Sequence, residues 1–129
     1  ENSNSIANLL LHLNGNVRQY LIAGVGDKTF ERNRQQEFDD RTKISANLLF
    51  NRLKETVDEA IEILNKLDLE KLNDVRKIQG KEKTLLEAIY HSVEHFSMHT
   101  GQIIYITKFL MNADLKFYEI KDGIPNLKL

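Results

Sequence analysis

A chain of 129 residues has room for one core, because separate domains need roughly 100 to 200 residues each, so a single domain over 1–129 is expected. Hydrophobic residues at 41% and charged residues at 29% are ordinary for a folded globular domain and too apolar for a disordered tail. The 18 Lys and Arg nearly cancel the 19 Asp and Glu, and a net charge of -1 leaves no field with which to capture nucleic acid or an anionic membrane.

The chain opens Glu-Asn-Ser-Asn-Ser, with neither a methionine nor a basic-then-apolar signal pattern, and reads as a fragment or a trimmed chain; a cytoplasmic location is expected. From Ser5, the residues Ile6, Leu9, Leu10, Leu13, Val17, Tyr20 and Leu21 recur at three- and four-residue steps, which predicts an amphipathic helix ended by Gly24 and Gly26. Asp27 to Arg41 is dense in charge, fits neither period and is expected to form an ordered loop. A second helix is predicted from an N-cap at Ser45 to about Leu67, with Leu48, Leu49, Leu53, Val57, Ile61 and Leu64 on one face. Leu69 to Gly80 reads as a helical turn and a brief extended piece around Val75 to Ile78. Thr84 and Glu87 form a capping box that opens a third long helix reaching about Met111. Its apolar run Ile103 to Met111, broken by Lys108, is far short of the roughly 20 residues that cross a bilayer, so no membrane span is expected. The tail from Asn112 to Leu129 holds Phe117, Tyr118, Ile120, Ile124 and Pro125, enough apolar surface to pack across a bundle end.

With one Pro, Pro125, and 6 Gly, long helices run unbroken and the fold class is all-α. Three long helices suggest an antiparallel bundle, but three amphipathic helices leave apolar faces uncovered, which implies a fourth helix or a partner. Symmetric pairing is the commonest remedy, so a homodimer is expected.

The chain's 4 histidines carry its main chemical signal: His12 in the first helix and His91, His95 and His99 at four-residue steps in the third. With His95 at zero, His91 lies at about −40° and His99 at about +40°, alongside Ala88, Ser92 and Gln102. Leu86, Ile89, Val93, Phe96, Ile103 and Ile104 lie between about 80° and 180°, so the histidine stripe adjoins the core face like a cavity wall. Neighbours at i and i+4 are about 6 Å apart along the axis and can share a cation, whereas His91 and His99, about 12 Å apart, cannot. Spacing leaves open a pair of His91 with His95 or of His95 with His99, and also a metal-free patch that titrates near neutral pH. Cysteine is absent, so any metal must use nitrogen or oxygen ligands. Glu94, about 100° from His95, points away from such a site, and no residue stands out as a general base.

Taken in order, Asn4-Ser-Ile-Ala-Asn-Leu-Leu-Leu-His12-Leu-Asn-Gly-Asn16, then Arg32-Asn-Arg34-Gln-Gln-Glu37-Phe38, then His91-Ser-Val-Glu-His95-Phe-Ser-Met-His99-Thr-Gly-Gln102-Ile resemble the DinB-like (DinB/YfiT-like) superfamily, in a bacterial subgroup without an assigned function. The resemblance spans most of the chain. It implies a four-helix bundle that binds a divalent metal through His12, His95 and His99, with His91 beside the metal rather than on it. It also implies one more helix ahead of the one bearing His12, which this chain starts too late to contain. Three neutral imidazoles suit zinc or nickel and leave a coordination position open. Relatives with assigned activity, such as bacillithiol S-transferases and mycothiol-dependent maleylpyruvate isomerases, imply a low-molecular-weight thiol as cosubstrate.

The resulting expectation is a metal-dependent enzyme of small-molecule thiol chemistry, similar to thiol S-transferases. Its counterpart is a non-catalytic bundle, either a stress-associated metal binder or a dimeric interaction module. Arg32 and Arg34 can hold a substrate carboxylate, or an arginine and a glutamate of this loop can simply pair to fix the loop itself. Gln102 can orient a ligand or bridge helices.

Overall fold

The computed structural model describes residues 3–112 and 114–128; Glu1, Asn2, Ala113 and Leu129, which the expected domain and tail include, lie outside the described residues. The chain is mostly helical, with two small β-hairpins. Helix α1 (Ile6–Val17) continues as a π-helical segment (Arg18–Val25) that ends at Gly26. A short helix α2 (Arg34–Asp39) interrupts the charged loop, and α3 (Ala46–Asn65) follows. A single 3-10 turn (Leu69–Asn73) leads to strands β1 (Val75–Ile78) and β2 (Lys81–Thr84), then to the long α4 (Leu85–Met111). Strands β3 (Tyr118–Lys121) and β4 (Ile124–Leu127) close the chain.

The helix starts lie where their capping residues put them. The Ser45 hydroxyl accepts the Leu48 amide, and Thr84 and Glu87 form the reciprocal box, with Glu87 Oε2 accepting the Thr84 amide at 2.7 Å. At Ser5 the box uses Asn8 in place of a carboxylate. Such caps each contribute about 1 kcal/mol by satisfying amides that the first turn leaves free.

The strands and the tail differ from expectation. The all-α reading missed both hairpins: β1 and β2 pair antiparallel through a turn in which Gln79 (φ 52) and Gly80 (φ 75) both take left-handed backbone, the geometry that matches strand twist. The extended piece at Val75 to Ile78 was legible, but its partner, Lys81-Glu-Lys-Thr84, has no apolar alternation to betray a strand. The tail does not pack across a bundle end; β3 and β4 pair with each other and leave Tyr118, Ile120, Ile124 and Leu127 exposed.

The bundle is also not simply antiparallel. Asn14 bonds to Arg52 and Thr56 of α3, while Gly26 lies against Ile63, so α1 and α3 run in the same direction. In contrast, His12 meets His95, and Asn16 and Tyr20 meet His91, so α4 runs the opposite way. Two consecutive parallel helices need a connection that returns along their length. The loop after Val25 does this. Phe30 lies under Arg18, Arg32 reaches Gln19 and His12, and Asp40 arrives at Asn8. The Asn8 amide nitrogen bonds to the carbonyls of Glu37, Phe38 and Asp40 at 2.9, 3.3 and 3.1 Å and holds the end of the crossover.

The core gathers Val17, Tyr20, Leu21, Ile22 and Val25 from the first helical stretch with Ala60, Ile78, Leu85 and Ala88. On α4 the buried sector is the histidine side itself, with Leu85, Ala88, Ser92 and His99, while Leu86, Tyr90 and Val93 are exposed. The histidine stripe therefore faces the bundle, while Leu86 and Val93 in the apolar sector beyond it are exposed. No helix among these residues is long and apolar enough to cross a membrane.

Candidate metal centre

His12 sits on α1 and His95 and His99 one turn apart on α4; antiparallel packing turns both stripes inward. One ligand atom from each of the three lies within 4.8 Å of the others, so it is His95 with His99, and not His91 with His95, that the fold brings together with His12. His12 is 2% exposed and His99 is buried. His12 Nε2 and His95 Nε2 are 3.2 Å apart. Two nitrogens bound to one tetrahedral ion at about 2.0 to 2.1 Å stand about 3.3 Å apart, so this pair is already at ligand spacing. His99 is set to close the third side.

The outer nitrogens of two of these rings are anchored. Glu37 Oε2 lies 2.8 Å from His12 Nδ1, and Gln102 Oε1 lies 2.7 Å from His99 Nδ1. A carboxylate and an amide oxygen only accept, so these contacts favour the hydrogen on each Nδ1, although Arg32 Nη2 also lies 3.1 Å from His12 Nδ1; His12 Nε2 is the atom that meets His95. His95 Nδ1 is buried without a partner. The donor set thus fits a late first-row divalent cation: three imidazoles, two of them held from their outer nitrogens, whose inner contact, His12 Nε2 to His95 Nε2, is one that a cation would replace.

Arg32 holds Glu37 in place. Its Nε and an outer nitrogen grip the two carboxylate oxygens at 2.6 and 2.7 Å, and the remaining donors reach Gln19 Oε1 and the His12 carbonyl. The Arg32 side chain is 3% exposed. The pairing with Glu37 is the loop-fixing contact, and it occupies Nε and Nη2. Arg34 differs: its guanidinium carbon lies over the Phe38 ring, 5.2 Å from the centroid, and it has no ion-pair partner among the described residues. Glu37 was legible only as part of the loop motif. Its role as the His12 partner emerges from the crossover that runs back along α1, which no periodicity announces. His91 stays off the cluster, stacked on Tyr20 with ring centroids 4.1 Å apart and 3.4 Å from the Asn16 amide. Glu94 is exposed, as expected.

Burial, aided by the charges of His99, His12, His91 and Arg32, pushes the His95 ring down to about 4, so it is neutral and able to ligate at neutral pH. Burial also lowers His91, with Lys83 adding to the effect. For Glu37, burial acts to raise the carboxyl, but hydrogen bonds from His12 and Arg32 outweigh it and the net direction is down. All three groups bind fewer protons folded than unfolded. The metal-free chain is therefore expected to lose stability on acidification, beginning as pH falls through the ordinary histidine value of 6.5 and continuing to about 4, with Glu37 adding below 4.5. His95 is only half-buried, so its share is discounted to about 1 to 2 kcal/mol. Chemical denaturation at stepped pH checks this; unchanged midpoints between pH 7 and pH 5 would contradict it.

A cavity of about 420 Å³ opens onto the cluster, walled by His12, His95, His91, Asn16, Tyr20 and Arg34 among others. This is within the range of small-molecule sites. Residues 1–124 match the family described as a protein of unknown function, DUF1572, and the chain belongs to that family. No curated protein and no solved structure matches it.

Proposed function

We propose that the chain is a divalent-metal-dependent enzyme acting on a small molecule, built on a DinB-like bundle, with zinc or nickel held by His12, His95 and His99. The observation that carries this reading is the convergence of three histidine nitrogens within 4.8 Å, two of them with the opposite ring nitrogen already tied back. Three protein ligands leave room for a fourth, the arrangement of catalytic rather than structural sites. A cation in this position favours the thiolate form of a bound thiol at neutral pH, and the cosubstrate in this reading is a low-molecular-weight thiol. The chain's own residues do the remainder. Glu37 and Gln102 orient rings, Arg32 fixes Glu37, and the lining of the cavity positions the acceptor. A cytoplasmic location belongs to the same reading, since that compartment keeps such thiols reduced.

The test is conjugation of a bimane-type electrophile with a panel of bacterial thiols, using chain of measured metal content. Turnover with one thiol, falling to background in His95→Ala, is expected. No turnover with any thiol at full metal occupancy would sink the enzymatic reading.

A second reading, a non-catalytic homodimeric interaction module, draws on the exposed Leu86, Tyr90 and Val93 along α4. Light scattering of a metal-loaded, catalytically inert chain that is wholly dimeric would favour it.

A further inference from the structure

We infer that the cavity beside the histidine cluster takes a small organic acid bearing both a carboxylate and a hydrogen-bond donor, of which a hydroxy acid is the simplest form. The inference rests on the reading of the cluster as a metal centre only in making this ligand the substrate; the recognition itself lies in other side chains.

Charge comes first. No Asp or Glu lines the cavity, and the charge of Arg32 is neutralised by Glu37. Arg34 is the cation left over. Its guanidinium carbon lies over the Phe38 ring at 5.2 Å, and no acceptor among the described residues engages its N–H groups. A planar fork of donors without an acceptor suits a carboxylate, which it can hold through two parallel bonds. In the metal-free chain a single positive charge also matches a monoanion better than a phosphate dianion.

Asn16 supplies the second observation. It is 2% exposed and lines the cavity, yet its Oδ1 has no partner. Buried amide oxygens are rarely left so, and the missing partner must be a donor. The neighbouring polar groups are already occupied with one another: the Tyr20 hydroxyl donates to Gln79 Oε1 at 3.2 Å, and Gln79 Nε2 donates to Gln19 Oε1 at 2.6 Å. A ligand that offers an oxyanion to Arg34 and a hydroxyl or amine hydrogen to Asn16 satisfies both unspent groups while lying against His95.

NMR titrations of the full chain, metal-free and zinc-loaded, with lactate, propionate, propane-1,2-diol and inorganic phosphate test this, following the Asn16 side-chain amide. Lactate should shift that signal and bind about tenfold more tightly than propionate or the diol, each of which lacks one of the two groups. Arg34→Gln, a change at an exposed position, should bring lactate down to the level of the diol. Equal affinities for lactate and the diol, tighter binding of phosphate, or no effect of Arg34→Gln would overturn the inference. Zinc uptake without lactate binding would remove the organic acid and leave the metal centre standing. Lactate binding through Arg34 without zinc uptake would do the reverse.

Discussion

Replacing His12 by alanine is expected to lower the affinity for zinc by about a thousandfold or more, equivalent to roughly 4 kcal/mol, while His91→Ala changes it by less than about threefold. The contrast follows from geometry. His12 Nε2 stands 3.2 Å from its counterpart on His95 and its other nitrogen is tied to Glu37, so it meets the ion already oriented. Its loss must exceed the 10- to 100-fold cost typical of merely removing a ligand's hydrogen-bond partner. His91 shares the α4 stripe but is engaged with Tyr20 and Asn16. The His12 variant should still fold, because Arg32 and Glu37 remain paired when the ring is gone. Thermal unfolding then gives a second readout: zinc should raise the midpoint of the parent chain and of His91→Ala, but not of His12→Ala. Equal zinc affinity in all three chains would refute the cluster as a metal centre.

The three long helical stretches were legible because each has a strong apolar period and a side-chain cap: Ser45 and Thr84 stand where the amides need them. The i, i+4 arithmetic also narrowed the histidines to two pairs. Choosing between the pairs required the partner helix, since His91 and His99 are equivalent on an isolated α4. Direction was harder. Local patterns say where a helix starts and which face it buries, but not whether its successor returns or runs alongside. The parallel course of α1 and α3 is fixed by contacts such as Asn14 with Thr56, distant in sequence. That one fact about topology turns an undistinguished charged loop into the support of the site. Arg32 and Glu37 lie five residues apart there, and only the return path brings both under His12. The hairpins were hidden for a different reason: short, charged strands such as Lys81 to Thr84 are held by backbone bonds and a turn, which leave little trace in hydropathy.

The same crossover makes Gly15 the most sensitive small residue in the site. In the interior of a helix, Gly→Ala ordinarily stabilises by about 1 kcal/mol. Here a Cβ would fall on Glu37 Oε1 and lie 2.8 Å from Arg32 Nε, so the buried ion pair is seated directly on the bare backbone of Gly15. The carboxylate can swing aside only by leaving both Arg32 and His12. Gly15→Ala is therefore expected to destabilise the chain by about 2 kcal/mol, because a separated buried pair outweighs the propensity gain, and to weaken zinc binding about 10- to 100-fold through the lost orientation of His12. Glu37→Gln should weaken zinc binding to a similar degree without touching Gly15. In a Glu37→Ala background the main obstacle is gone, and Gly15→Ala should then revert to neutral or stabilising, a change of sign that a double-mutant cycle measures directly. A Gly15→Ala chain more stable than the parent, with unaltered zinc affinity, would show that the Arg32–Glu37 pair is not seated on this helix and does not set the ring of His12.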